Sequence, residues 1–332
     1  MATSLGPTYG AALVGIVIEG TLFGVTLLQT YEYYKSYPSD SIRLKSLVAV
    51  LTVLDTLHLI LCARTLYWYL ISSFGQFDVL DQITWSMALQ TDCNGLIGVA
   101  VQLFFARRLW MMSRNWILTI LISILGTIHF ALGVVFTVQS FILGRFSAFA
   151  SLTWVTCTGL GSAAAGDILI ALSMVYYLQK KRTGIQSTDS IVTTLMLYSI
   201  NTGLLTSILA TASVILFAIM PTNFIWLAFF WIMGKCYVNS LLASLNSRES
   251  LRNKVHSSSA VEMSRFRKDS SMLGKKQTHS GALAVAIETT TEYRTDFDSS
   301  HKSASPEYKR QWSPTSSAIE VIEKDRLGVV AL

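Results

Sequence analysis

Eight ionisable side chains lie inside long apolar stretches of this sequence: Glu19, Asp55, His58, Arg64, Asp92, His129, Asp167 and Lys235. The amides Asn94, Gln102, Asn201 and Asn239 lie beside them. In hydrocarbon a charged group costs at least about 2.5 to 3.5 kcal/mol on insertion scales, so each is expected to face other helices or an aqueous cavity. Lys235 is about eleven residues into its stretch, too deep to reach the headgroups easily, and it needs an acid. Asp55, Asp92 and Glu19 have compatible depths. Such a pair can serve as a ligand or switch contact at the centre of a bundle, or as a bridge that fixes helix packing.

Asp55 and His58, three residues apart, share a helix face, whereas Arg64 points about 180° away from Asp55. The Asp55 and His58 pair suits either proton relay, because imidazole titrates near neutrality, or a hydrogen bond between helices. Arg64 is expected at the outer interface or against another helix. Asp167 follows a run of small residues, Gly159 and Gly161 to Gly166, that allows close approach of helix backbones. It is expected to bond a neighbouring backbone or face a cytoplasmic vestibule.

Several chemistries do not fit. An intramembrane zinc hydrolase needs about three protein ligands around an open position, and only His58 and His129 among the histidines lie in apolar stretches. A retinal Schiff base could use Lys235, but Trp231 stands four residues earlier, where microbial rhodopsins carry an acid. The Asp-Arg-Tyr and Asn-Pro-x-x-Tyr motifs of rhodopsin-type receptors are replaced by Phe105-Ala106-Arg107-Arg108 and Tyr237-Val238-Asn239-Ser240. No enzymatic activity, cofactor, metal or nucleic-acid partner is expected.

The elements that must position these residues are apolar runs about 20 residues long, the length that crosses a bilayer. Seven are found, at about 10–31, 47–70, 84–105, 116–138, 152–178, 191–220 and 224–245. Each must be helical, since backbone groups in lipid are satisfied only within a helix or a closed barrel, and period-two alternation is absent. The fold class is therefore all-α: a polytopic seven-helix bundle at residues 10–247, after a short extracellular segment, 1–9, without Lys or Arg. Of 46 charged residues, 25 follow Leu245, so residues 248–332 are expected to form a disordered cytoplasmic tail. Loops one, three and five hold nine Lys or Arg residues (Lys35, Arg43, Lys45, Arg107, Arg108, Arg114, Lys180, Lys181 and Arg182), against Arg145 alone on the other side. This bias places those loops in the cytoplasm and the N-terminus outside.

Ser39-Asp40-Ser41 and Ser187-Thr188-Asp189-Ser190 are expected to cap spans two and six. Cys62, Cys93, Cys157 and Cys236 all fall in apolar stretches and are expected as small buried hydrophobes rather than disulfides.

Ordered motifs carry a resemblance: Gln29-Thr30-Tyr31-Glu32-Tyr33, Leu54-Asp55-Thr56-Leu57-His58, Phe104-Phe105-Ala106-Arg107-Arg108, Gly166-Asp167, Ile200-Asn201-Thr202-Gly203-Leu204, and the segment from Tyr237 to Arg248. Over roughly residues 9–250 the chain resembles a family of seven-span fungal membrane proteins, abundant in basidiomycetes and known as domain of unknown function 6534. The resemblance implies a multi-pass membrane protein of fungal origin, and no substrate or catalytic residue.

The bilayer is the expected partner throughout, in the plasma membrane. Segment 248–276 has eight basic residues against three acids and is expected to attract anionic inner-leaflet lipids. Ser270, Ser305 and Ser313 stand in kinase-like contexts, where phosphate would weaken that attraction. Three functional classes follow. A receptor-like or sensory protein would use an outward-facing pocket around Glu19, Asp92, Asn94 and Lys235, with a cytoplasmic effector. A small-solute or proton-coupled transporter would use Asp55, His58, Asp167 and Lys235. A structural or interaction protein would use all of these, with Asn201 and Asn239, only to pack helices.

Overall fold

The computed structural model describes residues 5–180 and 186–248, with side chains described except at 186–202. The tail beyond 248, with Ser270, Ser305, Ser313 and the rest of the basic segment, lies outside the described residues, as does the side chain of Asn201.

Among the described residues seven α-helices follow one another: α1 (Ala11–Ser36), α2 (Ile42–Tyr67), α3 (Trp85–Ser113), α4 (Trp116–Leu143), α5 (Thr153–Lys180), α6 (Gln186–Ile219) and α7 (Ile225–Arg248). Short π-helical turns precede α1 and extend α2. Among the described residues there is no strand, only an isolated bridge between Gln82 and Arg145. Six of the helices are long and apolar enough to cross a membrane, and α6 has 34 residues, with Gly203–Ile219 an apolar part of it. The chain is a multi-pass membrane protein of six to seven apolar helices.

The helix ends follow local chemistry. Thr84 caps α3 by accepting from the Met87 amide, and Asn115 caps α4 by accepting from Ile117 and Leu118. Gly144 closes α4 at φ 66°, a conformation glycine adopts without a Cβ penalty. The expected caps of α2 and α6 differ. Ser41 occupies the α2 N-cap without a side-chain cap bond, and Asp40 beside it is turned toward Tyr33 and Arg248. The start of α6 at Gln186 puts Ser187 to Ser190 inside the helix rather than before it.

The outer surface is apolar, as lipid requires. Val14, Val17 and Leu28 of α1, Val53 and Ile60 of α2, and Ile117 and Ile124 of α4 are exposed. The four fully or almost fully buried groups Glu19, Asp55, His58 and Lys235 lie inside.

Of the six spans compared among the described residues, α7 is the most enclosed. Of its apolar stretch 67% is buried, against 17% for α4. It meets α1 where Gly15 faces Ala228, α2 through Lys235 and Asp55, α3 through Asn94 and the Phe230 carbonyl, α5 through Tyr237 and Asp167, and α6 through Ser213 and the Trp226 carbonyl. The end reached first is packed with aromatic rings. Tyr9, Tyr69, Phe146 and Phe224 touch in a chain with centroids 4.8 to 6.0 Å apart, and Phe149, Phe217 and Trp226 continue it.

Gly15 marks the closest approach of α1 and α7: a Cβ there would stand 2.8 Å from both Cα and Cβ of Ala228. Gly20, one turn on, would meet nothing within 4 Å. Gly15→Ala is expected to destabilise the bundle by about 1 to 3 kcal/mol through overpacking, while Gly20→Ala is neutral or slightly stabilising. Thermal unfolding of the two variants in detergent checks the difference, and equal midpoints would refute the α1–α7 contact.

Candidate functional site

Lys235 lies midway along α7, and its Nζ donates to Asp55 Oδ1 at 2.8 Å and to the Asp55 carbonyl at 2.6 Å. Glu19 Oε1 is 3.4 Å away, and the ammonium also lies over the Phe23 ring, 5.1 Å from its centroid. Glu19, Asp55 and Lys235 are 0% exposed and His58 is 1% exposed, so α1, α2 and α7 meet at a charge set sealed from solvent and lipid. Of the three acids at compatible depth, Glu19 and Asp55 are the partners. Asp92 is not: it accepts instead from Thr137 of α4 at 3.1 Å.

Glu19 Oε1 also stands 2.8 Å from His58 Nδ1, and His58 Nε2 stands 3.2 Å from Gln90 Oε1. The hydrogens here follow from a single fact. Trp231 Nε1 can only donate, and it reaches Gln90 Oε1 at 3.0 Å, which fixes that atom as the amide oxygen. His58 Nε2 must then carry a proton. Without another cation between them, the Nδ1 lone pair would face a carboxylate oxygen, so one proton is shared between His58 and Glu19. Whichever atom holds it, that pair is neutral, as is the pair of Lys235 with Asp55. Cys62, four residues after His58 on the same face of α2, has its Sγ 3.8 Å from both ring nitrogens.

A second buried set forms around Asp167 of α5. Its carboxylate accepts from Gln102 Nε2 at 2.8 Å, Thr206 Oγ1 at 2.5 Å and Tyr237 Oη at 2.6 Å, tying α3, α6 and α7 to α5. Its described partners are side chains, neither a neighbouring backbone nor a vestibule. Charge-assisted bonds of this kind are shorter and stronger than neutral ones. A cavity of about 10 Å³ beside it, lined by Gln102, Phe105, Gly203 and Tyr237, has room for about one water molecule.

The remaining residues act separately. Asn94 Nδ2 donates to the Phe230 carbonyl at 2.8 Å. Asn239 Nδ2 donates to the Leu22 carbonyl, and its Oδ1 accepts from Thr26, clamping α7 to α1. Arg64 of α2 donates to Ser86 and lies over the Trp85 ring at 4.1 Å, so it pairs with α3. Arg108 is drawn into the bundle, where it donates to Ser244. The four cysteines are free.

The expected outward-facing pocket around Glu19, Asp92, Asn94 and Lys235 therefore does not form as one site. A different crevice lies between α3, α4, α5 and α7, lined by His129, Phe136, Thr156, Gly159, Trp226 and Phe230 among others. Two of its lining residues carry a buried polar atom without a hydrogen-bond partner, Thr156 Oγ1 and Trp226 Nε1. Gly133 opens its α4 wall, since a Cβ there would meet nothing within 4 Å.

Thr206, Trp231 and Tyr237 are parts of these sets that apolar patterning passes over, because their side chains are compatible with an apolar run; Gln90, an amide in the same run as Asn94 and Gln102, did carry a signal. Cys62 had one: it is four residues from His58, hence on the same face.

A family of unknown function, DUF6534, matches residues 163–250, about a quarter of the chain, which include Asp167, Thr206, Lys235, Tyr237 and Asn239. No curated protein and no solved structure matches.

Removing one partner of a buried pair strands the other. Lys235→Met is expected to cost about 3 to 5 kcal/mol, because two carboxylates then share one proton. In the Lys235→Met, Asp55→Asn double variant most of that loss is recovered, since Glu19 and His58 stay neutral together. Unfolding in detergent of both single variants and the double variant closes the cycle, and additive losses would rule out the coupling.

Proposed function

We propose that this chain is a receptor-like seven-helix membrane protein, with its N-terminus outside and its tail in the cytoplasm, and that α7 is its switching element. The observation that carries this reading is the placement of α7 between two sites. On one side Trp226 and Phe230 line the crevice with its unpartnered hydroxyl and indole nitrogen. On the other, Trp231 and Lys235 enter the charge set. An occupant that pushes or hydrogen-bonds Trp226 acts on the helix that carries Lys235. The crevice suits a small, mostly apolar molecule with one hydrogen-bonding group.

The orientation rests on the basic residues. Lys35, Arg43, Lys45, Arg107, Arg114, Lys180, Lys181 and Arg182 flank one set of helix ends, against Arg64 and Arg145 at the other. The inner surface of these loops, with the tail, is where a cytoplasmic effector would bind. A proton-coupled transporter is the second reading, favoured by the proton shared between Glu19 and His58. Against it, Asp167 has Gln102, Thr206 and Tyr237 as described partners, none belonging to the Lys235 set, so the acids required for a relay are divided.

Two measurements separate the readings. Proteoliposomes of the full chain are expected to hold an imposed pH gradient as long as empty vesicles do; dissipation that Asp55→Asn abolishes would establish the transporter instead. Spin labels at Lys45 and Arg114 are expected to show a changed distance distribution on Lys235→Met in protein that stays monodisperse. An unchanged distribution leaves the charge set as packing alone and defeats the switch.

A further inference from the structure

We infer that Arg108 and Ser244 form a binding site for one phosphate-class oxyanion at the end of the bundle where α3 and α7 finish, the anion being borne by a phospholipid headgroup or free. Arg108 is 6% exposed and Ser244 3%. The guanidinium donates through Nη1 to Ser244 Oγ at 2.6 Å, and among the described residues no carboxylate pairs with it. The charged group that acts on it is another cation, Arg248, which has Asp40 as its own counter-ion. Among the described Lys and Arg residues Lys235 alone is buried as deeply, and it has Asp55 and Glu19. A buried guanidinium without an acid leaves the cost of its desolvation uncompensated. A residue needed only to orient the chain could stay at the surface, as the neighbouring Arg107 does.

The position suits an anion that approaches from the end of the bundle. From Arg108 to Ser113, the last residue of α3, is about 7.5 Å along the helix axis. Trp110, exposed on the same turn, is the kind of ring that lies at headgroup depth. The rest of the guanidinium is not sealed in: unlike Asn94 Oδ1 or Trp226 Nε1, none of its nitrogens is both fully enclosed and without a partner.

The donors select the anion. A guanidinium presents a planar fork that holds two oxygens at once. Ser244, whose oxygen accepts from Arg108, keeps its own hydrogen to give to a third. The Ser247 hydroxyl is engaged elsewhere, donating to the Ser244 carbonyl at 3.0 Å. A carboxylate has no third oxygen to offer, whereas a tetrahedral phosphate does. One uncompensated positive charge also matches the single negative charge of a phosphodiester.

The site needs neither the α7 switch nor a particular orientation of the chain, so its failure would leave both standing. The full chain, purified in a phosphate-free maltoside detergent, is titrated with short-chain phosphatidylglycerol or with inorganic phosphate. Diacylglycerol of the same chains and chloride at equal ionic strength are the respective controls. The wild type is expected to gain about 3 °C or more in thermal midpoint, from phosphatidylglycerol alone if the headgroup is the ligand and from phosphate as well if the free ion is. Arg107→Gln is expected to keep that gain and Arg108→Gln to lose it, although each removes one charge from the same turn. Arg108→Lys keeps the charge without the fork, and is expected to need about tenfold more anion for the same gain. No gain in the wild type from either anion, or an equal gain from the controls, would overturn the site. So would a gain retained in Arg108→Gln, or an equal loss in both glutamine variants, which would mean attraction spread over the surface. Where Arg108→Gln does not fold, Arg108→Lys decides: a response at wild-type concentrations removes the fork from the account and the site with it.

Discussion

A primary ammonium cannot sit at the centre of a membrane bundle without a carboxylate against it, and the interior of this protein is arranged around that constraint. Lys235 draws Asp55 of α2 and Glu19 of α1 to one point on α7. Glu19 then commits His58, and His58 commits Gln90 and Trp231. Three helices are thereby fixed in depth and rotation by groups that would be costly to leave alone. Such sets contribute less net stability than their Coulomb attraction implies, because desolvating the ions offsets most of it. Their effect is selective: a displaced register leaves a bare charge.

The spans were legible in the sequence because crossing hydrocarbon demands a long apolar run, a one-dimensional property. The depth of each charged residue was legible for the same reason, which is why Lys235 could be matched to a short set of acids. Rotation about the helix axis was only partly so. Asp92 and Asn94 are two residues apart and so point nearly opposite ways. Asn94 and Gln90, four apart, turn to α7 and the His58 set, while Asp92 turns to Thr137. Grouping Asp92 with Asn94 was therefore avoidable. The convergence of Gln102, Thr206 and Tyr237 on Asp167 was not, since it depends on which helices are neighbours. Within the expected cap Ser39-Asp40-Ser41, Asp40 is held instead by the Arg248 guanidinium at 2.6 Å, which reaches it from the end of α7.

Helix α7 combines roles that are usually distributed. Its apolar stretch is the most buried of the six spans compared among the described residues, it donates to carboxylates in both buried sets, and it ends in a clamp of Arg248 on Asp40 and the Tyr37 ring. The aromatic chain from Tyr9 to Trp226 closes over its first turns.

The position of Lys235 in the chain has a consequence for biosynthesis. Glu19 and Asp55 leave the ribosome with the first two helices, and their counter-ion comes with the last. Between those events the membrane must accept α1 and α2 with Asp55 lacking its cation, at an insertion cost of a few kcal/mol, while Glu19 shares a proton with His58 of α2. The early helices thus have reason to stay beside the insertion machinery, where water and protein are within reach, until α7 emerges. Electrical neutrality of the core is then a checkpoint on completed translation: a chain stopped before Lys235 carries an uncompensated interior and is marked, by that alone, as unfinished.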